Sequence, residues 1–149
     1  MGLARRRGVR ITIANRHLAR AKRLVRWLKR RRPGARVCPT SLARVRVDGC
    51  DLLVNATTVG LRAGDPSPVR LRGLRRETVV YDLIYHRETA LVAAARRRGC
   101  VAAGGETMLL YQGAESLRLW LNRRPPIEAM RRALTTNLRD GVSETASLR

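Results

Sequence analysis

The chain has 149 residues, 44% of them hydrophobic, which is enough for the core of one globular domain. No apolar run approaches the length of a membrane span, and the basic first ten residues contain no apolar region of the kind that a secretory signal needs. Three cysteines without metal-ligand spacing predict reduced thiols in a cytoplasmic protein and argue against a metal site.

The net charge of +21 comes from 32 basic residues against 11 acidic ones. Of the basic residues only Lys22 and Lys29 are lysines, and the arginines recur in nearly every predicted helix and loop. This usage indicates coding bias in a GC-rich genome, and aromatic residues that could stack on bases are scarce. We therefore expect weak, salt-sensitive binding to nucleic acid and no specific nucleic-acid partner.

The first third of the chain predicts a strand, a helix and a second strand. The helix is amphipathic, with apolar residues on one face and basic residues on the other, and Pro33-Gly34 stops it. In chain order, the predicted elements are a last helical turn at 2–7, a strand at 9–14, a helix at 17–32, a strand at 36–38 and a loop at 39–49.

The rest of the chain continues this alternation. Thr89 is a suitable N-cap for a helix that Gly99 ends. The remaining predicted elements are strands at 51–56, 78–83 and 100–103, a long loop at 62–76, helices at 90–98, 107–121 and 127–138, and a disordered tail at 140–149.

Strands that alternate with helices indicate an α/β fold with a parallel sheet. In the Rossmann order 3-2-1-4-5-6 this chain supplies equivalents of strands 2 to 6 but not of strand 1. We predict an incomplete Rossmann-like parallel sheet lacking the first strand, with two C-terminal helices, in one domain over residues 1–139. Strands 2 and 4 would each keep an unpaired edge. The isolated chain is therefore expected to be oligomeric, aggregation-prone or molten, or to pair with a complementing N-terminal fragment.

The first candidate site follows the strand at 9–14. Asn15-Arg16 stands where an NAD-binding fold would place an acid for the ribose 2′-hydroxyl, and an arginine there can grip a 2′-phosphate. Arg20 lies one helical turn farther on the same side. Alternatively, Asn15 only caps the helix and both arginines are solvated.

Two further candidate segments contain small or polar residues near predicted strand ends. Asn55-Ala56-Thr57 offers hydrogen-bonding groups and space for a cofactor at the carboxyl edge of the sheet, although an ordinary strand-end turn has the same composition. Gly104-Gly105 opens a helix, and Gly105 is expected to leave room for a flat ring against the backbone. The alternative for this segment is a plain helix cap.

These segments, together with Tyr81–Tyr85 and Met108-Leu109…Gln112-Gly113, resemble the C-terminal, cofactor-binding half of the shikimate dehydrogenases. The resemblance runs from about Gly8 to about Leu134. It implies NADP as cofactor, Leu83 near the nicotinamide, and substrate contacts from Tyr85 and Gln112. The chain departs from the family pattern at His17, at His86-Arg87 and at Thr107. A lone loop histidine such as His86 is more often an exposed polar residue than an acid or base.

The resemblance implies NADPH-dependent reduction of 3-dehydroshikimate to shikimate in aromatic amino-acid biosynthesis. The family's catalytic Lys and Asp belong to a front lobe without counterpart here, and Lys22 and Lys29 lie on the adenosine side of the cofactor. No catalytic residue is assigned, and we expect no activity from the chain alone. The alternatives are a non-catalytic remnant or interaction module, or part of a quinate/shikimate dehydrogenase. Glutamyl-tRNA reductase shares the Asn-Arg strand end but does not explain residues 104–113.

Overall fold

The computed structural model describes residues 3–144, with side chains through Thr136. The chain divides into two compact units, Met1–Arg46 and Val47–Arg149. Each unit contains its own parallel sheet, and the sheets have two and three strands. No helix within residues 3–144 has both the length and the apolar character needed to cross a bilayer.

The first unit is a strand–helix–strand arrangement. Strand β1 (Arg10–Asn15) pairs in parallel with β2 (Arg36–Ser41), and helix α1 (Leu18–Arg31) connects them. Helix α1 packs on this sheet because its apolar residues recur every three or four positions, and the buried ones are Ala21, Val25 and Leu28. Short 3₁₀ turns at Leu3–Arg5 and Leu42–Arg44 flank the unit.

The second unit contains a sheet of order β3-β4-β5, formed by Leu52–Asn55, Val79–Asp82 and Ala102–Ala103. Helix α2 (Ala90–Arg97) links β4 to β5 and begins at Thr89, whose hydroxyl accepts a hydrogen bond from the Val92 amide. Helices α3 (Glu106–Leu121) and α4 (Ile127–Glu144) follow. The core of this unit is built from Leu71, Val80, Leu91, Ala95 and Cys100.

The structure confirms the predicted fold class, an α/β arrangement of parallel strands with two C-terminal helices. The strand predicted at 36–38 continues to Ser41, because Pro39 lies in an edge strand with a single hydrogen-bonded neighbour and its missing N–H costs little. Helix α4 continues to Glu144 and includes the first residues of the segment 140–149 that was expected to be disordered. Residues 145–149 of that segment lie outside the described residues. The assignment of residues 1–139 to one domain stays a prediction.

Candidate functional site

In the first unit, polar and basic residues gather where β1 ends and α1 begins. The Asn15 side-chain oxygen accepts a hydrogen bond from the His17 amide at 2.8 Å, which turns the chain from the strand into the helix. Arg16 and Arg20 are both exposed beside this turn. The structure therefore brings together the three residues predicted at this strand end, next to the N-terminus of a helix.

In the second unit, a buried carboxylate joins the ends of two strands. Asp82 is fully buried at the end of β4, and one of its oxygens accepts hydrogen bonds from the Asn55 side-chain amide at 3.0 Å and the Ile84 amide at 3.1 Å. Its other oxygen accepts a bond of 2.8 Å from the Thr89 hydroxyl, which also caps α2. Asp82 thus fixes the end of β3, the β4–α2 loop and the start of α2 relative to one another.

Asn55 uses its whole hydrogen-bonding capacity inside the protein. Its amide group also donates to the Val59 carbonyl at 3.1 Å, and its oxygen accepts from the amide and the hydroxyl of Thr57 at 3.0 and 2.8 Å. Ala56 and Thr58, by contrast, are exposed. The side chain of Asn55 therefore shapes this loop, and the groups that the loop presents to solvent belong to its neighbours.

Gly105 lies against the main chain of Leu83. A Cβ at position 105 would overlap the Leu83 carbonyl oxygen and would lie only 2.7 Å from the Leu83 carbonyl carbon. The Gly105 amide also donates to the Ile84 carbonyl at 2.9 Å, and the Leu83 amide donates to the Asn55 carbonyl at 3.0 Å. The glycine is thus required for close packing of α3 on the end of β4. A side chain at position 105 would meet Leu83, and the expected approach of a flat ring to this backbone stays a prediction.

A groove of about 560 Å³ opens between the β4–α2 loop, the first turn of α3 and helix α4. Tyr85, His86, Arg87, Thr107 and Arg131 are among the residues that line it. The His86 ring nitrogen Nε2 makes a 3.0 Å hydrogen bond with the Leu61 carbonyl, which holds the loop. The Arg87 Nε is buried and has no hydrogen-bond partner within the described part of the chain.

The two residues predicted to contact substrate occupy different surroundings. Tyr85 is exposed and lines the groove, with its ring edge-on to His86 at 5.8 Å between centroids. Gln112 is exposed on the second turn of α3 and is not among the described residues that line the groove.

Sequence reasoning did not find the role of Asp82. The available signal was a carboxylate that ends an otherwise apolar strand, because a buried charge must have hydrogen-bond partners nearby. Asn55 and Thr89, which were singled out for other reasons, are two of those partners.

The family described as the Shikimate 5′-dehydrogenase C-terminal domain matches residues 105–135, which include α3 and the first part of α4. The NADP(+)-dependent shikimate dehydrogenase of Rubrobacter xylanophilus is 46% identical over 127 residues, covering 84% of this chain and 45% of that enzyme. This chain is related to the C-terminal half of the shikimate dehydrogenases. The resemblance drawn from the sequence motifs is confirmed.

Solved structures agree with this relationship. A shikimate dehydrogenase in complex with NADP⁺ superimposes with a TM-score of 0.79 at 33% identity, covering 87% of this chain and 47% of that one. The quinate dehydrogenase of Corynebacterium glutamicum in complex with NAD gives a TM-score of 0.77 at 25% identity, covering 85% and 46%. The chain thus spans somewhat less than half the length of these shikimate dehydrogenase relatives.

Proposed function

We propose that this chain is the NADP-binding portion of a shikimate dehydrogenase that reduces 3-dehydroshikimate to shikimate, and that it is inactive by itself. The observation that supports NADP most directly is the pair of exposed arginines, Arg16 and Arg20, at the carboxyl end of β1. Residues 1–46 contain no carboxylate side chain that could compete with a 2′-phosphate for these guanidinium groups.

The first unit suits the adenosine end of the cofactor. A guanidinium group can bind a phosphate through two parallel hydrogen bonds, and the helix N-terminus beside Arg16 also favours an anion. Asn15 has a positioning role in this proposal, because its bond to the His17 amide sets the path of the chain between the two arginines.

The second unit suits the nicotinamide end. Ala56 is small and exposed beyond β3, and Thr57 is held in place by Asn55, so the loop can approach a ribose without steric conflict. Next to this loop, the main chain of Gly105 packs closely on the main chain of Leu83. When bound, NADPH supplies the hydride for reduction of a ketone, and the described residues contribute binding and orientation.

No residue of this chain is proposed as the acid or base. His86 holds the Leu61 carbonyl, and Asp82 is fully buried with both carboxylate oxygens occupied by hydrogen bonds. We propose that Tyr85 and Gln112 contact substrate, and that proton transfer depends on groups which this chain does not contribute.

Cofactor binding to the full chain tests this proposal. Calorimetry should show a preference for NADP over NAD, and Arg16→Ala should weaken NADP binding roughly ten-fold or more, since an arginine–phosphate bond is worth about 1.5–3 kcal/mol. Arg30→Ala, which removes the same charge from the other end of α1, is the matched control and should change the affinity less than three-fold. Equal affinities for the two cofactors would refute the role of Arg16. Shikimate oxidation above the level of Arg16→Ala would refute the expected inactivity.

A quinate/shikimate dehydrogenase remains the second candidate, favoured by the structural match to a quinate dehydrogenase. The two differ in substrate, so competition between shikimate and quinate for the chain, complemented with a front lobe of either type, distinguishes them.

A further inference from the structure

The positive charge of the protein is concentrated in its first unit. Residues 1–46 contain 16 of the 32 basic residues and none of the 11 acidic ones. The remaining 103 residues contain 16 basic and 11 acidic residues, which is much closer to balance. A coding bias can explain why arginine is used in place of lysine. It does not explain why about a third of the chain contains no carboxylate side chain. Basic residues recur along the whole chain, but the excess of positive over negative charge is therefore concentrated in the first unit.

All sixteen of these basic side chains are exposed. Because residues 1–46 contain no carboxylate side chain, no ion pair between side chains can form inside the unit itself. In the second unit, by contrast, arginines form ion pairs with carboxylates, such as Arg75 with Asp51 and Arg118 with Glu115. A surface of this kind attracts polyanions over long distances, most strongly at low salt.

A cleft of about 170 Å³ gives this surface a concave point of contact. It lies at the amino ends of β1 and β2 and is lined by Arg6, Arg7 and Arg36 together with the backbone of Gly8 and Gly34. We call these three arginines the cleft arginines. The proposed 2′-phosphate contacts of Arg16 and Arg20 are at the opposite, carboxyl ends of the same strands. The cleft is therefore a separate region of the unit.

We propose that this unit binds the sugar–phosphate backbone of nucleic acid without sequence preference, with a phosphate seated among the cleft arginines. Guanidinium groups suit this ligand because each can donate two parallel hydrogen bonds to one phosphate. An anionic membrane is the alternative, because binding at a bilayer surface requires an apolar face beside a basic one. Helix α1 exposes Leu18, Leu24 and Trp27, but none of them lines the cleft, so the cleft itself favours a phosphate backbone.

Fluorescence anisotropy with a labelled 20-nucleotide oligothymidylate tests this inference on the full chain. We expect binding at 50 mM NaCl that weakens steeply with salt. The triple variant Arg6→Gln, Arg7→Gln, Arg36→Gln should bind at least ten-fold more weakly. Its plot of log K against log salt should be shallower by about 0.7, since the cleft holds one phosphate and each phosphate contact on a single strand contributes a slope of about −0.7.

The matched control is Arg72→Gln, Arg97→Gln, Arg123→Gln, which removes the same charge from exposed positions of the second unit. It should change the affinity less than three-fold, and far-ultraviolet circular dichroism should show that both triple variants keep their helix content. Saturating NADP should not displace the oligonucleotide.

Three results would overturn the inference. The first is an equal loss of affinity in both triple variants, which would indicate that binding depends on the net charge of the whole molecule and not on the cleft. The second is no binding of the oligonucleotide at 50 mM NaCl. The third is retention on phosphatidylserine vesicles under salt conditions that release the oligonucleotide, which would indicate a membrane ligand.

Discussion

Replacement of Asp82 by alanine should be the most destabilising single change in the second unit. The side chain is fully buried and accepts hydrogen bonds from Asn55, Ile84 and Thr89. One N–H of the Asn55 amide keeps its bond to the Val59 carbonyl, but its other N–H, the Ile84 amide and the Thr89 hydroxyl lose the acceptor that the carboxylate provides. At about 1–3 kcal/mol for each of these three buried donors, the expected loss is about 3–9 kcal/mol. A protein of this size has a total stability of about 5–15 kcal/mol.

Urea unfolding of the full chain, followed by circular dichroism, measures this loss as a shift of the midpoint at constant slope. The matched control is Asp51→Ala, because the Asp51 side chain is 98% exposed and only reaches Arg75 at 3.5 Å. The control should change the free energy of unfolding by no more than about 0.5 kcal/mol.

A double-mutant cycle separates the hydrogen bonds from general disruption. Thr89→Val removes the donor that Asp82→Ala would leave unpaired. The double variant should therefore lose less free energy of unfolding than the two single variants lose together, by about 1–3 kcal/mol. If Asp82→Ala costs no more than Asp51→Ala, or if the two losses are additive, the buried carboxylate does not organise the strand ends and this reasoning is wrong.

Three further predictions concern packing, thiol reactivity and the sheet edges. Gly105→Ala should lower the free energy of unfolding measured in urea, because its methyl group would overlap the Leu83 carbonyl. Gly113→Ala, inside α3 with Met130 at 3.4 Å, should leave that free energy unchanged or raise it by up to about 1 kcal/mol, and a change of the same sign in both variants would contradict the glycine argument. Labelling with iodoacetamide at pH 8 should modify the exposed Cys38 before Cys50, because burial raises the pKa of the Cys50 thiol, and equal rates would show that the thiol environments do not differ in solution. Strands β1 and β3 each have one hydrogen-bonded neighbour among the described strands, so the isolated chain should self-associate or exchange its β1 and β3 amides rapidly; a monomer with strong protection in both strands would refute this prediction.

Local patterns in the sequence were sufficient to place most elements. Helix α2 illustrates why: Thr89 caps its first turn, and Gly99 follows its end with a φ of 76°, a conformation that favours glycine. The boundaries of β1 and α1 were likewise predicted within about one residue, because hydrophobic periodicity and capping depend on neighbours in the chain. The cluster of Asn15, Arg16 and Arg20 could be predicted for the same reason, since all three residues lie within one strand end and the first turn of a helix.

Long-range contacts decided the rest. The sequence suggested that Gly105 leaves space for a ligand, and the structure adds a second requirement for glycine, because a Cβ there would overlap the carbonyl of Leu83, which is 22 residues away in the chain. Asn55 and Asp82 are 27 residues apart, and their hydrogen bond gives Asn55 an internal partner that the sequence pattern did not identify. A sequence pattern shows which groups are able to form hydrogen bonds, whereas the pairing of β3 with β4 determines which partners they meet. The sequence therefore predicts which residues lie at the carboxyl edge of the second unit's sheet. Tertiary packing decides which of these residues are available for binding and which support the fold.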